Sequence, residues 1–597
     1  MPTQPLPYPT GIVPGGNLLR GQPRKLENVR FSNGQWVTRG GNIVVYSHTI
    51  QRDSQFKAEN ASLTTVRPNE GVGLYPYRQT GVCPLLISVW RVQEGNGAME
   101  ISVSRGPRAL ILDSNAAVLA NDSMGYEAVS FARLNRTVYM AGPFARGIRR
   151  AFIPTSDRID LGILRPIDRV EFPFSPFDDE GPWLKTSPVF KYMTTQGQRV
   201  VGVDSKLTTR LRKSNLNDGD AYASLNYQDA APGGPITGIH EIGGKLVIGK
   251  RDRILIGDEN VATQEPGAIR EVENNPYREG PVSHHSMAKT PYGVPFLGRR
   301  GIYMLAPTTE REGFRIEKLV DLSAFFGDGQ RSDGYVDSHG YQIISDRIAQ
   351  SRGIYVPSKD MYVVYVPATY SGAAFSGDIV GDVTDGMSSS NQYGVQGWYN
   401  LGLCYSFGQG AGFHIDQGRA MHSMAIDVNE NGVERWLACT GSGSIHTLDV
   451  GDTDSYTRLG KLQTNALTAQ VNSVVGGVCH VDGPQFRMPR IEALLEPKSE
   501  VSADVLAKFK YWTDQYRNDT GAVNYLETTY PYRGIESPLV DATLPLTMRE
   551  TERSAAGFGA RSSTGRSVSF DLTFNGRLTQ LRVNLEKHAE FLQLNGT

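Results

Sequence analysis

Short segments in which apolar and polar residues alternate recur along nearly the whole chain, and clusters of glycine, proline, asparagine and aspartate separate them. Alternation with a period of two predicts β-strands with one buried face, and the separating clusters predict turns. Convincing helical periodicity is almost absent, so the chain is predicted to be all-β. The clearest strand segments are PLLISVW (84–90), TVYMAG (137–142), KLVIGK (245–250), GIYMLA (301–306), MYVVYV (361–366) and RWLACTG (435–441).

A strand–turn–strand unit occurs several times along the chain. KLVIGKRDRILIGD (245–258), VPFLGRRGIYMLA (294–306) and RWLACTGSGSIHTLD (435–449) each place a short polar turn between two apolar strands. Such a unit cannot bury its apolar face alone, and stacking several units around an axis buries these faces and leaves only short sheet edges. The units predict a β-propeller, and their irregular spacing predicts inserted β-rich subdomains and long loops.

Two Asn-Gly pairs stand between alternating segments near the two ends of the chain. Asn33-Gly34 interrupts LENVRFSNGQWVTRGG (26–41), and Asn575-Gly576 interrupts SVSFDLTFNGRLTQLRVNL (567–585). Asparagine and glycine tolerate the positive φ that a two-residue type I′ turn requires, so each pair predicts a β-hairpin. Residues 26–47 are therefore predicted to pair within the propeller or within an adjoining sheet.

Shifts in composition divide the chain into five predicted parts. Its proline-rich start favours an extended arm. A proline- and acid-rich sequence from residue 174 breaks the strand rhythm, and a Gly-, Ser- and Asp-rich sequence near 369–394 predicts a surface loop. The predicted parts are the extended arm (1–25), the first propeller blades (26–173), an inserted subdomain (174–235), the remaining blades with the loop excursion (236–485), and a C-terminal β region that closes the propeller or forms an adjoining sheet (486–597).

Composition narrows the classes of function. The 597 residues include 61 Lys and Arg against 62 Asp and Glu, and the formal charge of -1 argues against a general nucleic-acid-binding protein. Contact with DNA through a local surface stays open. The four cysteines lie far apart without a C-x-x-C pair, which predicts reduced, mostly buried thiols. No apolar run is long enough for a transmembrane helix, and the first residues lack the pattern of a signal peptide.

Two segments match ligand-binding loops only in part. GKLVIGKR (244–251) has Arg251 where a phosphate-binding loop requires Ser or Thr, and the Leu-Val-Ile between its glycines predicts a strand. Residues 427–432 match the start of a calcium loop, but Ala438 stands where the bidentate acid belongs. A strand and a polar hairpin turn are therefore the predicted structures of these two segments.

No motif in the sequence predicts catalysis. His284 and His285 are the only adjacent histidines, and neighbouring residues on a strand point to opposite faces, which disfavours joint chelation. Neither a G-x-S-x-G nor an HExxH sequence occurs. Three nearby acids, Asp449, Asp452 and Asp454, favour a solvated turn over a cation site. The sequence therefore predicts no enzyme, no cofactor and no bound metal.

The opening hairpin resembles that of a known family. Its pattern is Leu26-x-Asn28-Val29-x-Phe31-x-x-Gly34-x-Trp36-x-x-Arg39-x-Gly41. This pattern is similar to the N-terminal N-V-R-F-x-x-G hairpin, with a following Arg and Gly, of tail proteins from short-tailed bacteriophages. GGKLVIGKRDRILIGD followed by GVPFLGRRGIYML is similar to blades of the tail nozzle, hub or stabilisation-type propellers of these phages.

This resemblance implies a structural, non-enzymatic virion protein. The family's propeller, which is six-bladed, forms a homohexameric ring below the portal and adaptor and meets tail fibres. Double-stranded DNA would pass through the ring during ejection. The subunit would be made in the host cytoplasm and would then become part of the virion tail.

Charged segments are the candidates for the DNA-facing lumen or for contacts between subunits. Acids that face a DNA channel would prevent the DNA from sticking, and insertions form the ring contacts that the resemblance implies. The candidate acids are Asp178, Asp179, Glu180, Asp378, Asp382 and Asp385. The candidate bases are Arg210, Arg212 and Lys213.

Two other functions stay open at the level of sequence. A receptor-binding or glycan-cleaving tail propeller would gather acids and aromatic residues in its central pocket, because glycoside hydrolysis requires two carboxyl groups. A cellular propeller scaffold is the third hypothesis, and a host genome neighbourhood would favour it.

Overall fold

The computed structural model describes β-strands and the turns between them over much of the chain. In the part of the chain that it describes, no helix has the length and apolar character to cross a membrane. The described residues are 3–5, 23–32, 35–47, 70–80, 82–91, 99–104, 111–117, 128–142, 147–155, 158–163, 184, 186–224, 226–230, 233–258, 269–308, 313–326, 341–370, 401–408, 412–417, 421–429, 431–439, 444–451, 453–456, 467–471, 473–480, 486–496, 505–513, 526–532, 564–565, 567–574 and 577–587.

Strands near the N-terminus form the hairpin that the first Asn-Gly pair predicts. Phe31 pairs with Trp36 and Ser32 with Gln35, a register that leaves only two residues for the turn. The predicted hairpin is therefore confirmed. The N-terminal strands are β1 (Thr3–Pro5), β2 (Pro23–Glu27), β3 (Val29–Ser32), β4 (Gln35–Thr38) and β5 (Asn42–Ser47).

Four blades of four antiparallel strands follow, and consecutive strands are neighbours in each blade. Burial alternates along the strand Ser130–Leu134, as expected where one face of a strand packs on an adjoining sheet. The blades consist of β6 (Glu70–Gln79), β7 (Val82–Arg91), β8 (Met99–Ser104) and β9 (Ile111–Ala117); β10 (Ser130–Leu134), β11 (Thr137–Ala141), β12 (Arg149–Thr155) and β13 (Arg158–Ile163); β14 (Phe190–Gln196), β15 (Arg199–Asp204), β16 (Arg210–Lys213) and β17 (Tyr227–Asp229); and β18 (Ile236–Ile242), β19 (Lys245–Lys250), β20 (Ile254–Gly257) and β21 (Ile269–Glu271).

The fifth blade has three regular strands and an irregular inner segment. Its strands are β22 (Val294–Leu297), β23 (Gly301–Pro307) and β24 (Phe314–Asp321). Val282 N donates to Leu297 O at 2.9 Å and Ala288 N to Pro295 O at 3.2 Å, so the segment before β22 runs beside that strand. A short 3-10 helix, His284–Ser286, interrupts this segment and contacts β18 of the preceding blade.

Two larger sheets follow the fifth blade. Their propeller strands are β26 (Arg352–Val356), β27 (Met361–Val366), β29 (Leu401–Ser406) and β30 (Gly412–Gln417) in one sheet, and β31 (Ser423–Val428), β32 (Glu434–Cys439) and β33 (Ser444–Leu448) in the other. A separate pair consists of β25 (Tyr341–Ile343) and β28 (Ala368–Tyr370). Further 3-10 helices are Ser323–Phe326, Ser345–Gln350 and Pro357–Lys359. The N-terminal strand β5 pairs with β33, and Asn42 lies opposite Leu448.

The C-terminal strands extend these sheets outward. They are β34 (Thr453–Tyr456), β35 (Leu467–Gln470), β36 (Ser473–His480), β37 (Phe486–Glu496), β38 (Val505–Thr513), β39 (Leu526–Tyr532), β40 (Thr564–Gly565), β41 (Ser567–Phe574) and β42 (Arg577–Lys587). The order β26-β27-β29-β30 continues through β2-β36-β41-β38-β39, whereas β42 and β37 lie in a separate sheet with the β3–β4 hairpin. The second predicted hairpin is therefore wrong, because β41 and β42, which flank Asn575-Gly576, belong to different sheets.

Apolar cores between successive sheets link them in a closed circuit. Four cores connect the first five blades in chain order. The next core joins the fifth blade to the β26–β30 sheet. Tyr365 and Trp436 share the core that joins this sheet to β31–β33, and Leu437 and Leu86 share the core that returns to the first blade. The predicted all-β propeller arrangement is confirmed.

The propeller arrangement contains five discrete blades, and the last two sheets of the circuit are fused with strands from the chain ends. The predicted count of six blades is not confirmed. The predicted inserted subdomain (174–235) is not confirmed either, because β14–β17 form a blade packed between two others. Nearly all of the predicted loop excursion near 369–394 lies outside the described residues.

Candidate functional site

The N-terminal hairpin is anchored to the propeller by one buried arginine. Arg30 of β3 donates from Nη1 and Nη2 to the two oxygens of Asp416, at 2.7 and 2.6 Å. Its Nε donates to Asp449 Oδ2 at 2.8 Å. Asp416 lies on β30 and Asp449 directly follows β33, so a single guanidinium joins the hairpin to two neighbouring propeller sheets. We call these three residues the Arg30 junction.

The backbone around the junction depends on Asn28 and Arg39. Asn28 has a φ of 54°, in the left-handed region that asparagine tolerates better than most residues. Its side-chain oxygen accepts a hydrogen bond of 2.9 Å from Arg39 Nε, and its carbonyl accepts one of 2.8 Å from Ser473 Oγ. Arg39 is only 1% exposed. Both residues thus fix the bend between β2 and β3, which directs Arg30 inward.

A close backbone approach explains the Gly40-Gly41 pair. A Cβ on Gly40 would lie 2.2 Å from the carbonyl carbon of Asp449, so only glycine fits there. Gly41 N donates to Gly451 O at 3.0 Å, and Val450 N donates to Gly41 O at 2.9 Å. This contact holds the segment after β4 against the residues after β33 and places Asp449 within reach of Arg30.

Electrostatics favour a permanently charged Arg30 and a neutral histidine beside it. Burial by itself lowers the pKa of Arg30, but Asp416 and Asp449 raise it well above its ordinary value. Burial, and then the Arg30 charge, lower the pKa of His414 to about 3. Neither Arg30 nor His414 is therefore expected to exchange protons near neutral pH.

The same cluster contains a set of residue types that can bind metals. Among the described residues, Cys404, His414 and Asp416 are the one group of three or more such side chains whose ligand atoms lie close together, within 4.8 Å. The guanidinium of Arg30 takes both oxygens of Asp416 and lies 3.4 Å from His414 Nε2. A cation placed there would face this fixed positive charge. Cys404, His414 and Asp416 therefore do not fit a metal ion, because the guanidinium of Arg30 already neutralises Asp416 and occupies both of its oxygens.

Aromatic residues and histidines lie where the inner strands of several blades meet. Tyr192 of β14 stacks on His284 with ring centroids 4.8 Å apart, and His285 hydrogen-bonds the backbone at Ala128, just before β10. Ile239 N of β18 donates to His284 Nδ1 at 3.2 Å. Desolvation is the largest cause that lowers the pKa of His284 to about 3. The two histidines lie in a 3-10 helix, not on the strand that the sequence predicts.

The predicted basic candidates make contacts within their own blade. Arg210 donates to Asp229 at 2.8 Å and lies 3.9 Å from the ring centroid of Tyr227. Arg212 donates to Asp204 at 2.9 Å, and Lys213 is only 3% exposed. Arg212 also lies 5.7 Å from the Tyr227 ring centroid, so the structure brings Arg210 and Arg212 together, whereas Lys213 is buried. Their role at a lumen or subunit contact stays a prediction. The acidic candidates Asp178, Asp179, Glu180, Asp378, Asp382 and Asp385 lie outside the described residues.

The two partial loop motifs have the structures that the sequence predicts. Residues 245–250 form strand β19, and Lys250 Nζ donates to the carbonyls of Ala230 and Gly233, so it is not available to a phosphate. Asp427 is 4% exposed and pairs with Arg78 and Arg435 instead of a calcium ion. The turn after it joins β31 to β32 as a polar hairpin.

Comparison with known proteins gives similarity of fold alone. No protein-family model and no curated protein matches the chain. The extracellular domain of a one component system from B. thetaiotaomicron is 10% identical with a TM-score of 0.32, and the match covers 77% of this chain and 47% of that one. Apo AztD from Citrobacter koseri is 9% identical with a TM-score of 0.22, over 40% of this chain and 73% of that one. A luciferin-regenerating enzyme is 8% identical with a TM-score of 0.27, over 68% of this chain and 98% of that one.

Proposed function

We propose that the chain is a structural subunit of a short phage tail: a nozzle or hub protein that forms a ring, with six copies as the expected number. The ring would lie below the portal and adaptor of the virion, contact tail fibres, and conduct double-stranded DNA during ejection. The observation that carries this proposal is the Arg30 junction, because Asn28, Arg39 and Gly41 of the hairpin motif support the contact by which Arg30 joins the hairpin to two propeller sheets.

The sheets around the junction suit a part that must stay rigid under mechanical force. Strands from both chain ends extend one propeller sheet to nine strands and build a second, six-stranded sheet beside it. Sheets continuous with a propeller provide a rigid base for loops that contact partners. A formal charge of -1 also permits copies to lie close together without strong mutual repulsion.

The described residues where inner strands meet favour this structural role over glycan cleavage. A glycosidase needs two carboxyl groups about 5–10 Å apart around the scissile bond. The described side chains at this position include Tyr192, His284 and His285, and the charge of Arg352 lies close enough to lower the pKa of both histidines. A histidine and tyrosine cluster does not supply an acid and a nucleophile of that kind.

Electron microscopy of the purified protein and of virions tests the proposal. We expect a closed ring with a central bore, and mass photometry with and without portal and adaptor should detect a species of about six times 65.5 kDa. A chain that stays monomeric with both partners and depolymerises capsular polysaccharide would contradict it.

A further inference from the structure

Five arginines lie close together in sequence segments at one end of the fourth and fifth blades. The turn between β19 and β20 carries Arg251 and Arg253, and the turn between β22 and β23 carries Arg299 and Arg300. Arg278 lies in the connection between these blades and, like Arg251 and Arg300, is exposed. We call these five residues the arginine rim.

Backbone contacts show that the rim is one continuous surface. A Cβ on Gly280 would lie 1.9 Å from Lys250 O and 2.6 Å from Arg253 O, so the chain just after Arg278 rests directly on the first turn. Arg299 Nη2 donates to Arg278 O at 3.0 Å, which joins the second turn to the same connection.

Part of the rim's charge is already paired, and part is not. Arg253 pairs with Asp252 at 3.1 Å and with Glu271 at 3.2 Å. Arg299 contacts Glu279 at 3.4 Å. Within the described residues, the side chains of the other three rim arginines make no ion pair. The rim therefore presents three uncommitted guanidinium groups to solvent.

The surroundings of the rim favour a protein partner over a nucleic acid. Tyr277, beside Arg278, is 43% exposed although it is a large aromatic residue. Exposed tyrosine and arginine together are typical of protein-binding hot spots. Asp252, Glu271 and Glu273 are exposed among the arginines, so the rim lacks the uniformly basic surface that is typical of nucleic-acid binding.

The chain itself contains a segment of matching chemistry. Residues 371–400 include Asp378, Asp382 and Asp385 but no lysine, arginine or histidine, and they also include apolar residues such as Phe375 and Ile379. The segment lies outside the described residues, and it connects the second and third strands of its propeller sheet. It therefore carries three negative charges that can pair with the three free arginines.

We propose that the arginine rim binds the acidic segment 371–400 of a neighbouring copy and so forms a contact between subunits. The inference rests on the proposed ring function. A ring requires a heterologous contact, in which two different surfaces of the same chain meet between neighbours. A basic rim and an acidic segment on one chain supply such a pair of surfaces.

A labelled peptide of residues 371–400 tests the contact directly. It is titrated against the full chain at concentrations where mass photometry finds monomers. We expect saturable binding that weakens about tenfold or more in the variant Arg251→Glu/Arg300→Glu, and also when salt is raised. The matched control, Arg136→Glu/Lys289→Glu, reverses two exposed basic residues in turns that join the first and second strands of their blades, at the end opposite the rim, and should keep the affinity. A peptide in which Asp378, Asp382 and Asp385 are replaced by Asn should no longer bind the full chain.

Several results would overturn the inference. The first is an absence of peptide binding. The second is a loss of peptide affinity in the control variant that equals the loss in Arg251→Glu/Arg300→Glu. The third is binding of duplex DNA that depends on the rim, without binding of the peptide. The wild-type peptide is also titrated against a full-length variant in which Asp378, Asp382 and Asp385 are changed to Asn. This titration detects docking of the segment on the rim of its own chain. If this variant binds the peptide more than about tenfold more tightly than wild type does, the segment occupies its own rim and the proposed contact is wrong.

Ring formation is measured separately by electron microscopy. Rings that persist in Arg251→Glu/Arg300→Glu would overturn this inference and leave the proposed function standing. Peptide binding without rings, in virions or with portal and adaptor present, would contradict the proposed function instead.

Discussion

At the scale of residues, Arg30 connects the N-terminal hairpin to side chains from distant parts of the chain. Asn28, Arg39 and Gly41 stand out in a short pattern, and the turn chemistry of Asn33-Gly34 is local. The partners of Arg30 lie 386 and 419 residues away in the chain, so no local pattern reveals them. Asp449 appears in the sequence as a turn acid, and its partner proves to be an arginine from the opposite end of the chain.

Removing the guanidinium should destabilise the protein strongly. Arg30→Met keeps much of the side-chain volume but leaves Asp416 and Asp449 buried without their cation. Breaking a buried ion pair from one side costs about 3–5 kcal/mol, so we expect a loss of that size in the free energy of unfolding, measured by urea denaturation.

A control and a rescue make this prediction specific. Arg136→Met removes an exposed arginine and should change the free energy of unfolding by less than about 0.5 kcal/mol. Adding Asp416→Asn and Asp449→Asn to Arg30→Met should recover part of the loss, since no buried charge then remains unpaired. A loss below about 1 kcal/mol in Arg30→Met would show that the junction does not depend on its charge.

At the scale of elements, strand and turn signals predict the meander blades better than the strands at the chain ends. Segments such as KLVIGK and GIYMLA form β19 and β23, because their partners are adjacent in sequence. Asn575-Gly576 has the same turn chemistry as Asn33-Gly34, yet β41 pairs with β36 and β38 while β42 pairs with β37. Tertiary pairing overrides a local hairpin preference there.

The strand β5 should be needed to protect the edge of the propeller sheet that contains β33. Deleting residues 1–47 removes β5 and leaves the backbone groups of β33 without their partner on that side. We expect faster hydrogen exchange at β33 amides and a greater tendency to aggregate, because an unpaired edge exposes free hydrogen-bonding groups.

A shorter truncation and an added peptide complete this experiment. Deleting residues 1–22 keeps β5 and should leave exchange at β33 unchanged. A synthetic peptide of residues 23–50 added to the longer truncation should restore protection. Unchanged exchange at β33 after the longer deletion would mean that β5 does not protect this sheet.

At the scale of the whole molecule, the sequence predicts the class of fold but not the number of sheets. The expected count of six blades comes from the family resemblance and not from the strand pattern. The proline- and acid-rich sequence that begins at residue 174 makes the blade of β14–β17 resemble an insertion. Fusion of two sheets with strands from both chain ends depends on pairings across more than 400 residues, such as Asn42 with Leu448. Local periodicity contains no information on such pairings.

Burial of neutral histidines should make the whole molecule sensitive to mild acid. The pKa of His414, beside Arg30, Asp416, Asp449 and Cys404, is lowered by burial and by Arg30 to about 3, against an ordinary value of 6.5. Below pH 6.5 the unfolded chain binds this proton and the folded chain does not, so stability falls as pH falls. The loss is about 1.4 kcal/mol per pH unit per histidine, or about 2 kcal/mol between pH 7 and pH 5.

Urea denaturation at pH 7 and pH 5 measures this loss, and His414→Gln isolates the contribution of one histidine. His284 and His285, whose pKa values are also lowered mainly by desolvation, remain in that variant and continue to contribute. Carboxyl groups with lowered pKa, such as Asp204 and Asp229, stay ionised in both states above about pH 5 and add little in this range. The difference in unfolding free energy between the two pH values should therefore shrink by about 2 kcal/mol in His414→Gln. An equal difference in wild type and variant would mean that His414 is protonated in the folded protein, and that the positive charge of Arg30 does not keep it neutral.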